Sequence, residues 1–547
     1  MRKIILVILL LSAWFACKAE KPEQAKSVAP VRLLVIAGPS IKTAQVVQSQ
    51  LKKMDVPVEI VEKKDYSSFL KVLETGDYDL ALSGWTTVTG NPDYAVYSLF
   101  HSSGDYNNNG LNDPALDTYL ETGRSAKIGS EEFLDAYYNV EKIVNETPYL
   151  IPISYGKRTL AYNQALETPI FNKSRSFPLE TVSWRAASGK DNETDPVRVR
   201  HHTINLTSFD PAKANDGTVF SLNTNIYARL VNLDPEDRIV AGLAEAYDSE
   251  DQRNFYFALR SGLQFSNGDP IEISDIAFSL LRAANPELPG NRVYSVQGNI
   301  AAVKPATWED IPLSVQQNLT AQLADASKRQ LVRIETKNPY GQLYNMLAHT
   351  SGAIVSQSAV EAQGDAYGTI KNATRLVVSG PYNVRAVDEA NNEIILVRND
   401  NYYEAAPMKT IIFKVVPDSS AALLALEAGD VDYLYTIPTD SWQRIRDNEK
   451  LGLVVRSSNA MSYISLNLKP SNVRMSNPLF RKALYFAIDP LEIIQFVDQG
   501  EAALAASPLT PVLEGTEAGI KYQRPPADLQ KAQEFLKQYQ AESAANG

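Results

Sequence analysis

Apolar positions along this chain switch repeatedly between a strand period and a helix period. VRLLVIA at residues 31–37 is a short apolar run suited to a buried strand. Ala44, Val47, Leu51 and Met54 follow at helical spacing, and VPVEIVE then returns to extended structure. A short helix is predicted near SSFLKVLET and leads into the strand DYDLALSGW. Phe133, Tyr137, Val140 and Val144 mark another amphipathic helix, after which PYLIPISYGKRTLAYN is extended. Strands alternating with helices imply a largely parallel sheet, with ligands near the strand ends. AASGKDNETDP, residues 186–196, is small, polar and turn-rich and reads as a linker. The terminal run PPADLQKAQEFLKQYQAESAANG is an amphipathic helix with Leu529, Ala532, Phe535, Leu536 and Tyr539 on its apolar side.

Composition bounds the class. With 547 residues, 44% hydrophobic and 21% charged, the chain can bury large cores. It should divide into roughly two to four folding units. A net charge of -11 and no basic stripe argue against a nucleic-acid partner. The N-terminus reads as an export signal over residues 1–16: Arg2 and Lys3 precede an apolar run too short for a comfortable membrane span. The mature protein is therefore expected outside the cytoplasm, periplasmic or otherwise extracytoplasmic. Cys17, the only cysteine, follows that run and permits no internal disulfide. Two readings stay open there: a lipid-modified cysteine, or ordinary cleavage nearby, for instance after Ala19. Residues 17–30 read as a polar tether.

Beyond the linker, VRVRHHTINLTSFDPAKAND and then LAEAYDSEDQRNFYFALRSGLQFSNGDPIEISDIAFSLLRA form a long ordered pattern. VVSGPYNV, VRNDNYY, ALEAGDVDY, YISLNL and NPLFRKALYFAID extend it. This series resembles the family 5 extracellular solute-binding proteins, the dipeptide, oligopeptide and nickel receptors of ABC importers. Leu243 to Glu245, Leu259, Arg260, Gly262, Phe265, Asn267, Gly268, Asp275 and Phe278 carry the densest part of the likeness. The family's last third resembles residues 31–185, through DYDLALSGWTTVTGNPDY, NNNGLNDPALDTYLE and PYLIPISY. The resemblance therefore implies a two-lobed α/β binding-protein fold in circularly permuted order. On that reading, 31–185 belongs to lobe II with a return to lobe I, 197–455 is mainly lobe I, and 456–547 completes lobe II. A gene-model error or fragments of a tandem protein would give the same order.

The resemblance also implies a function: a solute-binding receptor that closes two lobes on a peptide or similar polar oligomer and is read by an ABC permease complex. It implies a cleft at Ser83, Gly84, Trp85, Thr86 and Thr87, with Thr89, Asp93, Tyr94 and Tyr227 as further candidates. Val88 stands where many peptide receptors of the family carry an aspartate for the ligand's ammonium group. A neutral oligosaccharide stacking on Trp85 and Tyr94 is thus a competing ligand, and a signalling receptor of the same fold is a competing role. The protein is expected to be a monomer without a cofactor, reaching a membrane only through a lipid on Cys17. His201 and His202 are adjacent on a strand and point to opposite faces, so they make a poor metal pair. No His-Glu-x-x-His, Gly-x-Ser-x-Gly or phosphate-loop pattern occurs, which disfavours an enzyme.

Overall fold

The computed structural model describes residues 29–545 apart from Pro39, 174–177, Asn205, Thr207, Asn215, Asp216, Pro286, 289–299 and 514–521. The signal segment and Cys17, with nearly all of the tether, lie outside the described residues.

Strands β1 (Val31–Ile36), β2 (Val58–Lys63) and β3 (Leu80–Thr86) are separated by helices Ser40–Lys52 and Tyr66–Thr75. The second helix is well delimited: Asp65 accepts from Ser68 N at its start, and Gly76 at φ 77° ends it in the left-handed conformation that glycine adopts without penalty. Helices Pro92–Phe100, Pro114–Ser125 and Glu131–Glu146 follow, then the long β4 (Leu150–Asn163). Next come β5 (Val197–His201), the hairpin β6 (Val231–Leu233) and β7 (Ile239–Ala241), and β8 (Ala244–Asp248), β9 (Asn254–Leu259), β10 (Ile300–Ala306) and β11 (Leu331–Thr336). The chain continues through β12 (Tyr382–Asp388), β13 (Glu393–Arg398), β14 (Thr410–Val415) and β15 (Tyr433–Tyr435). It ends with β16 (Leu451–Leu466), β17 (Ala503–Leu504) and the helix Leu529–Ala545.

One 11-stranded sheet runs β12-β13-β14-β5-β15-β4-β16-β3-β1-β2, with β17 on β4, while β10-β11-β9-β8 form a separate antiparallel sheet. β1 pairs in parallel with β2 and β3, and β5 in parallel with β14 and β15. These two parallel groups form separate lobes, each with its own hydrophobic cores. Val31, Leu33, Val35, Leu80, Ile464, Phe480, Ala532 and Leu536 pack in one; Val197, Val199, Leu222, Tyr382, Phe413 and Tyr433 pack in the other. The small sheet has a third core around Phe255, Phe257, Ile276 and Ile334. The architecture is thus mixed α/β and two-lobed, with an added subdomain.

Among the described strands, β4 and β16 alone run through both lobes. Their antiparallel ladder runs from Leu451↔Asn163 to Ser457↔Lys157, breaks, and resumes at Met461↔Tyr155. From Ala460, inside the break, onward β16 also pairs with β3, from Ala460↔Thr86 to Leu466↔Leu80. Residues 186–196 form a folded turn rather than a free connector: Asn192 Oδ1 accepts from Trp184 N at 2.8 Å, and Trp184 Nε1 donates to Asp195 O at 2.8 Å. In the C-terminal helix, Ala532 and Leu536 are buried while Leu529 remains 42% exposed. Its immediate neighbour is helix Pro478–Ala487, with Phe480 against Tyr539 at 4.9 Å and Phe486 stacked on Phe535 at 5.8 Å.

Burial pushes the Glu141 carboxyl, on helix Glu131–Glu146, up to about 8, while the Ser507 hydroxyl donates to it. A carboxyl raised in the folded state binds its proton more tightly there than in the unfolded chain. Its contribution is therefore complete below the ordinary carboxyl range and is lost as pH rises towards the folded-state value. Glu141→Gln should flatten the decline of the melting temperature between about pH 5 and about pH 8, to which this group adds at most about 1.4 kcal/mol per pH unit. Parallel melting curves across that range check it; an unchanged slope would reject the assignment.

Candidate functional site

A cavity of about 550 Å³ opens where the two lobes meet the crossing strands. Thr86 ends β3, His202 follows β5 and Tyr435 ends β15, and all three line it. The carboxyl ends of parallel strands from both lobes thus converge on one space, the usual location of ligands in open α/β sheets. Its floor is the crossing ladder where it breaks: paired residues Lys157 to Thr159 lead to the interruption at Gly156, Ser458 and Ala460. Backbone groups freed from a ladder become available to a ligand. Thr436, on the same wall, is held at φ 63°, a costly conformation for a β-branched residue, and its N–H donates to Thr159 O at 3.0 Å.

The charges are mixed. Lys157, Arg158 and His202 supply positive or protonatable groups, and Asp498 and Glu501 carboxylates. Lys157 meets Glu501 at 3.2 Å, and His202 Nε2 lies 2.8 Å from Arg200 Nη1. A second cavity of about 410 Å³ adjoins the first, sharing Ser154, Ser462 and Asp498 with it. Its walls are mostly apolar and include Tyr66, Phe69, Leu99 and Phe100 along with Ser83, Gly84 and Trp85. The Trp85 ring lies 5.2 Å from Tyr94 and 5.0 Å from Tyr106, and its Nε1 is buried with no acceptor among the described residues.

Of the residues singled out in the sequence, Ser83, Gly84, Trp85 and Thr86 therefore lie on cavity walls. The rest lie elsewhere. Thr87 is buried and tied to Asn459, its N–H donating to Asn459 O at 3.0 Å while Asn459 Nδ2 donates to Thr87 O at 3.2 Å. Val88 is half-buried and lines neither cavity, and Thr89 is buried with no partner for its hydroxyl among the described residues. Tyr94 is buried beside Trp85 and supports that ring. Tyr227 is fully buried in a lobe core, its hydroxyl 3.2 Å from that of Tyr367. His201 is buried edge-on to Phe413, away from the cavity that His202 lines.

Asp93 is fully buried at a seam between the first lobe and the subdomain. Arg124 Nε donates to its Oδ1 at 3.0 Å and Tyr340 OH to its Oδ2 at 3.1 Å. Its N–H donates to Gln342 Oε1 at 3.2 Å, and Gln342 Nε2 donates to Tyr137 OH at 2.8 Å. Burial pushes the Tyr137 and Tyr340 hydroxyls well above their ordinary value, so both remain neutral. Between Tyr340 and Gln342, Gly341 donates to Arg124 O at 3.0 Å; a Cβ there would lie 1.8 Å from Ala126 O. Only glycine permits that approach. No local pattern marks Asp498, Glu501 or Gln342 for these places. The polar run Gly156-Lys157-Arg158-Thr159 inside an otherwise apolar strand was a usable sign of the crossing.

The family model for bacterial extracellular solute-binding proteins, family 5 (middle), matches residues 238–546. The chain belongs to that family. It is 27% identical over 341 residues to a glutathione-binding protein, GsiB, of Salmonella paratyphi A, covering 61% of this chain and 59% of the relative. To GsiB of Escherichia coli K12 it is 26% identical over 343 residues, with the same coverage. The chain thus spans about three-fifths of the length of the curated relatives it matches. The murein tripeptide-binding protein MppA of Escherichia coli is similar over 47% of this chain and 50% of its own, at 20% identity and a TM-score of 0.38. Haemophilus influenzae OppA, solved with a peptide, is similar over 47% and 49%, at 20% identity and a TM-score of 0.38.

Proposed function

We propose that this protein is an extracytoplasmic receptor of an ABC importer that encloses a peptide or similar polar oligomer between its lobes and performs no chemistry on it. The observation that carries this reading is the 550 Å³ cavity walled by both lobes and floored by the strands that join them. Closing such lobes about a hinge buries a solute and offers a permease a shape it can distinguish from the empty receptor. Exposed backbone beside Gly84 and the unpartnered Trp85 Nε1 supply donors and acceptors that do not depend on a ligand's side chains. Family membership and the peptide or glutathione ligands in the relatives' names agree with it. A lipid on Cys17 would hold the receptor at a membrane, with residues 18–30 as its tether.

The circularly permuted order belongs to the same proposal. Supporting it, β1 to β3 and residues from Ile464 to Leu536 share one core although the sequence separates them by the whole second lobe.

Ligand should raise the melting temperature, by about 2.7 kcal/mol of added stability at a hundredfold excess over Kd, and reduce the radius of gyration. Thermal shift and small-angle scattering with peptide and oligosaccharide panels test this. Stoichiometric recovery of unaltered solute is expected; catalytic conversion of it would reject the receptor reading.

A further inference from the structure

Among the described residues, the Asp498 carboxylate has no partner that would give it a structural duty. It caps the C-terminal end of helix Pro490–Val497, where the helix dipole opposes a negative charge. Its neighbours are engaged: Glu501 is held by Lys157 at 3.2 Å, and Gln50 Nε2 donates to Glu492 at 2.9 Å. Among the described residues, by contrast, no cation lies within ion-pair distance of the Asp498 carboxylate and no donor bonds to it. Partial burial raises this carboxyl above its ordinary value, with no nearby charge to offset the cost. A solvated surface acid would show neither the burial nor the position. This one lines both cavities, as do Ser154 and Ser462, with Gly84 and Trp85 on the walls of one and Lys157 and His202 on those of the other.

We infer that Asp498 is the counter-ion for a cationic group of the bound solute, a primary ammonium in particular. The inference rests on the proposed reading of the cavities as the solute site and narrows the solute class. A ligand anchored there can direct an apolar side chain towards Phe69 and Leu99, and a polar or anionic end towards Lys157 and His202. A partly desolvated carboxylate favours such a partner because pairing removes the cost of leaving it alone.

Two probes test it on the full chain: a mixture of tripeptides with free amino termini, and the same mixture N-acetylated. Binding to the parent, Asp498→Asn and Asp498→Glu is read by native mass spectrometry, with calorimetry on the member captured. The parent should take the free mixture, and Asp498→Asn should weaken that binding about 30-fold or more. The acetylated mixture should bind parent and Asn variant equally weakly, and Asp498→Glu should retain part of the preference. Asp498→Asn should melt no lower than the parent, since it removes an unpaired charge. Unchanged affinity in Asp498→Asn, or equal binding of both mixtures by the parent, overturns the counter-ion role and leaves the cavity as the solute site. A marked fall in melting temperature would assign Asp498 to the fold instead. Binding of neither mixture by the parent overturns the inference together with the peptide reading.

Discussion

Asp93→Ala should destabilise the protein by about 3 to 5 kcal/mol, because it leaves a buried guanidinium without its partner. Arg124 is sealed against the Tyr97 ring, 3.1 Å from its centroid, and Asp93 is the one carboxylate in ion-pair contact with it among the described residues. Neutral changes at the same seam should cost less: Tyr340→Phe removes one hydroxyl donor, worth about 1 kcal/mol to a neutral acceptor and somewhat more to a carboxylate. Replacing both Asp93 and Arg124 by apolar residues of similar volume should recover most of the loss, since buried ion pairs often contribute little beyond their own desolvation cost. Urea titration of the three variants checks the order. A single Asp93→Ala variant within about 0.5 kcal/mol of the parent would mean that the seam is open in solution.

Removing residues 527–547 should cost roughly 4 to 6 kcal/mol, from the apolar surface of Ala532, Phe535, Leu536 and Tyr539 that it uncovers. The more telling effect is remote. Amide protons of Val31–Ile36 should lose exchange protection although they lie at the other end of the chain, because β1 and the helix close the same core. Hydrogen exchange with mass spectrometry reads this directly. Full protection of Val31–Ile36 in the truncated protein would contradict the shared core, and with it the support for a permuted order.

Both tests concern relationships that differ in how legible they are in the sequence. The alternation that marks VRLLVIA, VPVEIVE and DYDLALSGW depends on neighbours in the chain, so it can be read locally, and strands β1 to β3 occupy those segments. The Asn91-Pro92 cap is equally local: Asn91 Oδ1 accepts from Tyr94 N at 3.0 Å. Nothing local announces that Tyr340 will donate to Asp93 across 247 residues, or that Gly341 must lack a side chain because Ala126 faces it. Asp498 was hidden for the opposite reason. An aspartate before Gln-Gly resembles a turn, and its interest comes only from what does not surround it. Residues 186–196 show a third limit, since a turn-rich composition does not distinguish a free connector from a turn pinned by Trp184 and Asn192.

The interrupted ladder between β4 and β16 has one more consequence. In the proposed closing motion β4 and β16 would resist least at Ser458 to Ala460, where they do not pair with each other, and the bonds at that point are those of Asn459 to Thr87 and Asp237. On that proposed reading, the balance between open and closed states would be set mainly at buried contacts, by Asp93 with Tyr340 and Gln342, and by Asn459 Nδ2 donating to Asp237 at 2.7 Å. Apparent affinity scales with the fraction of molecules poised to bind. Substitutions at these buried contacts should therefore change how tightly every solute is held by a common factor, leaving the order of preference among solutes to the cavity walls. Capacity to bind and choice of what to bind would be adjustable separately, at sites that share no residue.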